Sequence, residues 1–594
     1  MHPIRLIVAC ILAMNTGALT GQTIPAFRIS GWNNAGYGNP APSPPVMLDV
    51  TQFGATGNGV TDDAAAVLDA IDSLHGMHGV IYFPPGDYLI GTTLDLPDSV
   101  IIRGATADST HIIFNLSGAI GNGFQIAGSE SGVFTSVIAG ADRGSNYIVV
   151  ADPSAFLVGD YAELLQTNGS WDSQPAPWAT DCIGQILKLT SILNDTLYFD
   201  APLRYSYDTG LQARIQKITP AHEIGIECLR ISRGDNVTSG VCYNIYFLFA
   251  AQCRIQGVES SISIGSHIQV EASTNISIRG CYIHHAYAYD GTSTHGYGIT
   301  LFDHSGQCLL ENNIMEHLRH SFSLQTGANG NVLAYNYSID PNRSEFPSDY
   351  GADISLHGHF PFANLFEGNI VQNIMIDQTW GPSGPFNTFF RNRADLYGII
   401  MTSSSDSMNF VGNEVTNTLP FMGQYALAGS GHFEYGNNIK GTLTPAGTTP
   451  LTDSSYFLNA PPNYWNTSLF PSIGIPNIIS SGFNAAHDRI ATGAVRPVCN
   501  DAITVSIDEF SKPALRIFPN PATHSFKIQL PDNPTGSLNL RLKDMMGRTV
   551  HEEVLSTPDK FVMKNPDGKL FSGIYILEIT SERRIYSTKI ILQN

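Results

Sequence analysis

Lysine is scarce in this chain, to a degree that narrows the chemistry. Between residues 22 and 501 it occurs only as Lys188, Lys217 and Lys440. A proton-abstracting base in that span has to be sought among His, Tyr or Arg. Charge of either sign is thin, at 14% of residues, and the formal net charge is −20, which argues against a nucleic-acid partner. No C-x-x-C pair occurs. Of the eight cysteines one, Cys10, lies in the N-terminal apolar stretch. The odd number that remains leaves at least one thiol unpaired within the chain or engaged between chains. Cys228, Cys242, Cys253, Cys281 and Cys308 fall in apolar, repeat-like segments and read as core residues rather than metal ligands. Beyond the N-terminus no run is long and apolar enough for a membrane span. Glycine is abundant, at 56 residues of 594. That suits a turn-rich β-protein, and the length calls for more than one domain.

The two ends are distinct. Arg5 precedes LIVACILAM (6–14) and then small and polar residues, so residues 1–21 read as a signal peptide cleaved near Gly21. Cys10 sits too near the start for a lipoprotein signal. At the other end a linker (496–509) leads into 510–594, where short alternating strands separated by turn residues predict a small Ig-like β-sandwich. Pro519, Asn520 and Pro521 form a rigid turn, and Gly547 and Gly573 fall where hairpin turns are needed. FPNPA (518–522), D-x-x-G-R (544–548) and SGIYILEI (572–579) closely resemble the C-terminal sorting domain of type IX secretion in Gram-negative bacteria. The resemblance implies handling by the type IX machinery and export to the medium or the cell surface.

Inside, LDVTQFGATGNGVTDDAAAVLDAIDSL (48–74) gives a strand, a glycine-rich turn and a helix, with Thr61 as N-cap, Asp62 and Asp63 in the first turn, and Val67, Leu68 and Ile71 as its apolar face. The turn lacks the G-K-[ST] ending of a phosphate loop. With FPPGDYLI (83–90) and SVIIRGA (99–105), this module (46–116) resembles the opening and helical cap of the pectate-lyase-like superfamily, which holds rhamnogalacturonase-like and epimerase-like right-handed parallel β-helices. The all-β solenoid expected from that resemblance has independent support. LLENNIM, VLAYNYS, LFEGNIV, TFFRNRA, NFVGNEV and FEYGNNI share an asparagine at Asn313, Asn336, Asn369, Asn392, Asn413 and Asn437, in steps of 23, 33, 23, 21 and 24 residues. A coil of that length fits a three-sided β-helix, and asparagines stacked at one turn are structural. Leu229, Val258 and Cys281 hold the same place upstream. The coils are assigned to 223–495. Residues 117–222 lack the repeat and read as an inserted β-domain, with Trp171 and Trp178 either on a sugar-binding loop or in a small core.

Two long insertions, 284–298 and 338–353, follow the ladder strand of their coils and should wall one groove. Its floor is the next strand of each coil. With Leu301, Leu324, Leu356, Ile376 and Met401 inward, the outward residues are Glu271, Phe302, Gln325, His357, Asp377 and Thr402. His357 and Asp377 then neighbour one another beside Gln325, with His304, His359 and Asp353 at the ends of the strip. The strip reads either as a solvated face or as a site, and a one-residue slip would swap its faces.

The family resemblance implies an acidic polysaccharide as substrate. With lysine missing, His357 is the candidate base, with Asp377, Asp353 and His359 beside it. Arg319, Arg343, Arg391 and Arg393 are candidates for the uronate carboxylate. His320, Gln325, Glu271, His304, Tyr287, Tyr289 and Trp380 are candidates for substrate contact. Asp340, Glu345, Asp349 and Asp353 offer oxygen ligands for Ca²⁺ without EF-hand spacing, and no other cofactor is implied. The chain lacks the asparagine–aspartate, paired-aspartate and G-H-G pattern of polygalacturonase-like hydrolases. Elimination, hydrolysis by paired carboxylates (Asp377 with Asp353 or Glu271), uronan epimerisation and glycan binding without catalysis all stay open.

Overall fold

The computed structural model describes residues 23–499 except 39–43, 45, 238–239, 403, 466–468, 472, 474–481 and 495. In a second unit it describes the strands from 516 to 592, with Ala522 and Arg548. The signal peptide, the linker from 500, Pro519, Asn520, Pro521, Gly547 and most of D-x-x-G-R lie outside the described residues.

The first unit is a parallel β-helix with three sides. Val46–Asp49 starts the first side, a 13-stranded parallel sheet that ends at Phe433–Tyr435. The second and third sides merge into one 21-stranded sheet. They merge because Ile370–Ile376 and Arg393–Met401 each run along both sides. Aliphatic residues point inward in every coil, and the aromatic rings of Phe366, Phe389 and Phe410 stack there 4.6 and 5.1 Å apart.

The asparagine ladder is continuous. Each Nδ2 from Asn313 to Asn413 donates to the Oδ1 of the next asparagine at 2.9–3.1 Å, and each also satisfies a carbonyl of the preceding coil. A second ladder, Asn331–Asn364–Asn387, does the same at the corner between the third and first sides.

The capping helix, Ala64–Asp72, begins later than the sequence suggests. Thr61 lies in the strand Asn58–Asp62, and the Asp62 carboxylate accepts from Ala64 N. Asp63 turns back to hold the glycine-rich turn through Thr56 N and Gly57 N. Val67, Ile71 and three alanines face the core, and Leu68 is 38% exposed.

Two other expectations shift. The strand Phe124–Ala127 pairs in parallel with Ile245–Leu248, so the solenoid continues past residue 117. Ser129–Ala139, Tyr147–Val150, Tyr161–Gln166, Ile183–Leu193, Thr196–Phe199 and Arg214–Thr219 then close into an antiparallel barrel. Its core continues into Phe360, Phe362 and Ala363 of the solenoid. The coils end at Asn437–Ile439, where Thr442–Thr444 turns back antiparallel, rather than at 495. The described residues of 451–499 instead run back along the solenoid as a strap, bonded to Glu367, Asn336, Asn312, Glu316 and Gly280 in turn. A second strap, 23–38, runs alongside, where Trp32 Nε1 donates to Ala363 O at 2.8 Å. The reason is in the sequence: the outer face of the first side carries Leu309, Val332, Ala334, Leu365, Phe390 and Val411, which the straps bury with Ile24, Trp32, Leu451 and Tyr456. The straps cover that side, whereas His357 and Asp377 follow strands of the third side.

The second unit holds a three-stranded and a four-stranded antiparallel sheet with Phe526, Ile528, Leu540, Leu542, Leu577, Ile579 and Ile590 buried. Gly573 opens the strand Gly573–Thr580 rather than forming a turn.

Candidate active site

The strands Ala352–Leu356 and Ile370–Ile376 pair in parallel on the third side, with Leu356 opposite Ile376. The residues that follow, His357 and Asp377, are therefore neighbours on adjacent coils. His357 Nδ1 and Asp377 Oδ2 are 2.6 Å apart, and Asp377 Oδ1 accepts from Thr379 N at 2.9 Å. Burial works to raise the Asp377 carboxyl, but the His357 charge and the hydrogen bonds from His357 and Thr379 outweigh it and hold it below the usual range. With Nδ1 committed to the carboxylate, Nε2 is the nitrogen left to act on a ligand.

The pair opens on a pocket of about 290 Å³ lined also by Arg319, His320, Arg343, Glu345, Tyr350 and Thr379. The His320 ring lies 5.6 Å from that of His357, and its Nδ1 donates to Ala352 O. Burial, Arg319 and His357 together hold His320 well below its ordinary pKa. Arg319 donates to the carbonyls of Asp290 and Ser293, Gly291 N donates to Glu345, and Ser344 N donates to Tyr289 O. The two insertions are thus tied to each other as one wall. Arg343 stacks on Tyr350 at 4.9 Å and donates to Pro347 O.

Beyond Thr379 the opposite rim is aromatic. Trp178, from the barrel and 54% exposed, meets Trp380 edge-on at 5.1 Å and His359 at 4.9 Å. His359 is buried, with both ring nitrogens unbonded, and burial holds its pKa below the ordinary value. Trp171, partly buried, packs instead on Phe360 against the barrel core.

Several candidates lie elsewhere. Asp353 is buried under the second insertion, where Ser338 Oγ, Gln372 N and Asn373 N bind its carboxylate, and burial pushes its pKa up to about 6. It does not orient His357. His304 is buried against the barrel, with Nδ1 on Glu163 and Nε2 on Asp181 O. Arg391 donates to the Asp453 and Ile473 carbonyls of the strap, at the far side of the solenoid, and Arg393 pairs with Glu414. Glu271 accepts from Tyr246 and Gln269 and lies three coils before His357, or ~14 Å at the usual spacing. Gln325 donates to the His357 carbonyl. Tyr287 OH donates to Arg233 O, and Tyr289 OH accepts from Ala286 N. The carboxylates considered for Ca²⁺ are dispersed: Asp340 pairs with His317 and Asp349 accepts from Tyr397. No group of three or more His, Cys, Asp or Glu suited to a metal occurs among the described residues. Tyr350 and Thr379 were not marked by the sequence, although Tyr350 belongs to the predicted wall.

Comparison with known proteins matches three stretches of this chain. Residues 47–148 match the family described as rhamnogalacturonase A/epimerase, pectate lyase-like, and 233–417 match the right-handed β-helix region. Residues 516–593 match the secretion system C-terminal sorting domain. The chain is therefore a secreted protein of the type IX pathway, extracellular or at the cell surface. No helix among the described residues is long and apolar enough to cross a membrane. A probable rhamnogalacturonase E of Aspergillus flavus is 31% identical over 151 residues, covering 24% of this chain and 29% of that protein. The mannuronan C5-epimerase AlgE6 of Azotobacter vinelandii is 39% identical over 72 residues, covering 11% and 8%. The chain spans less than a third of the length of these relatives. The solved tailspike gp61 of Pseudomonas phage phi297 aligns with a TM-score of 0.36 at 12% identity, covering 67% of this chain and 78% of the tailspike.

Proposed function

We propose that this chain is an exported enzyme that cleaves an acidic, uronate-containing polysaccharide by β-elimination. The observation that carries the reading is the His357–Asp377 pair opening on a pocket that also presents Arg319 and Arg343. The partial matches to a rhamnogalacturonase and a mannuronan epimerase support the substrate class. In this mechanism an arginine faces the uronate carboxylate and stabilises the charge that develops as the α-proton leaves. His357 Nε2 takes that proton, and Asp377 stabilises the imidazolium that forms. The electron pair forms the new C=C bond and the glycosidic C–O bond breaks. The departing oxygen takes a proton, for which the Tyr350 hydroxyl in the pocket wall is the candidate. An epimerase would share the first step and return a proton to the opposite face.

Hydrolysis is the second reading. It rests on Asp377 and Glu345, which line one pocket. The pair Asp377 with Glu271 is too far apart for either hydrolytic geometry. Incubation of the mature protein with a panel of polysaccharides separates the readings. Elimination gives an ultraviolet-absorbing unsaturated uronate with each new reducing end. New reducing ends without that absorbance would transfer the assignment to hydrolysis. Epimerisation changes the residue without chain cleavage, and binding with no product of any kind would leave an adhesin.

A further inference from the structure

The described part of the strap that covers the first side reaches Cys499, where its contacts are close. Val498 N donates to Gly280 O at 2.8 Å, Gln256 Nε2 donates to Cys499 O, and Cys499 Sγ reaches Gly257 O. The approach depends on glycine at 257, which has φ +60° and where a Cβ would stand 2.6 Å from Cys499 N and Cα. Cys228, at the preceding coil, donates its backbone N–H to Gln256 O at 3.0 Å. Both cysteines thus meet on the one turn, Cys228 through Gln256 and Cys499 through Gln256 and Gly257. Both are part-exposed, whereas Cys182, Cys242, Cys253, Cys281 and Cys308 are buried. Cys253 and Cys308 flank Ile276 in the same ladder, two coils apart, which at ~10 Å is beyond disulfide reach.

We propose that Cys228 and Cys499 are oxidised to a disulfide in the exported protein, closing the strap covalently onto the first coil after the barrel. Export takes the chain out of the reducing cytosol, and such compartments favour disulfides. One S–S bond forms as two thiols lose two protons and two electrons. The acceptor is the disulfide of an envelope thiol–disulfide oxidoreductase. One cysteine attacks it to give a mixed disulfide, the other displaces it, and the oxidoreductase leaves as a dithiol. The bond would pin the point from which the chain leaves for the sorting domain. It would leave the five core thiols reduced.

The test uses the mature protein recovered from the medium or cell surface without reductant, unfolded in iodoacetamide, digested and weighed. A cross-linked peptide pair joining Cys228 to Cys499, with the other five cysteines alkylated, is expected. Alkylation of both Cys228 and Cys499 would overturn the proposal. A second measurement compares melting with and without reductant. The wild type should lose a few degrees on reduction and Cys228→Ser should lose none. An equal response of the two proteins would also overturn it.

Discussion

Two histidine–carboxylate pairs on this solenoid close at nearly the same distance and do different work. His357–Asp377 joins adjacent coils at 2.6 Å, and His304–Glu163 joins a coil to the barrel at 2.8 Å. The second nitrogen separates them. In His304 it donates to Asp181 O at 2.6 Å, so both nitrogens are donors and the ring is an imidazolium sealed in an interface. Burial works against that charge, but the Glu163 hydrogen bond and charge prevail and raise the His304 pKa. Glu163 is depressed in turn, against its own burial, by His304 and Gln216. In His357 the second nitrogen faces a pocket. A histidine beside an acid is thus a latch or a base according to what its other nitrogen meets.

The comparison breaks if the two histidines give the same phenotype on substitution. His357→Ala should cost on the order of 10²-fold or more in kcat, as for loss of a general base, in a first unit that still folds. Full activity in that variant would end its assignment as the base. His304→Ala leaves Glu163 buried without its partner. It should destabilise the first unit by about 3–5 kcal/mol, measured by denaturant unfolding, with activity per folded molecule retained.

The pH dependence sharpens the same contrast. Glu163 has a depressed folded pKa, so its contribution is present above the unfolded carboxyl value and is lost as pH falls through the folded one. His304 has a raised folded pKa, so its contribution is full below the unfolded histidine value and is lost as pH rises through the raised one. The latch is therefore strongest between about pH 4.3 and 6.5. The buried carboxyls of Asp353 and Glu367, raised to about 6 and about 7 by burial, impose their own slope in that window. The difference in unfolding free energy between wild type and His304→Ala cancels them. That difference should be largest inside the window and shrink on both sides, and a flat difference would refute the charged latch.

Much of this was legible in sequence because a solenoid repeats. The asparagine steps fixed the coils, and period-two alternation put Leu356 and Ile376 inside and His357 and Asp377 outside. The second ladder had a signal too, since Asn331, Asn364 and Asn387 each stand five residues before Asn336, Asn369 and Asn392. His304, Arg391 and Asp353 were misplaced for one physical cause. Their environments are set by elements that follow no repeat: the barrel, the strap and an insertion that folds over its own coil. A residue's face can be read from local periodicity, but what covers that face cannot.

The smallest effect concerns the two tryptophans of WDSQPAPW. Trp171 packs, partly buried, against the barrel core, while Trp178 stands exposed against Trp380, which follows the pocket-lining Thr379. A sugar ring stacked on an exposed indole gains the energy of an aromatic contact, about 0.5–1.5 kcal/mol. Trp178→Ala should therefore raise KM roughly two- to tenfold by that energy, with kcat unchanged, because the contact is the same in ground and transition states. The rim lies beside the His357–Asp377 pair, so the effect should appear with long chains and vanish with oligomers that fill only the pocket. Steady-state kinetics on a size-graded series of the preferred polysaccharide checks this. An equal loss on short and long substrates would make Trp178 a support for Trp380 and His359 instead of a subsite.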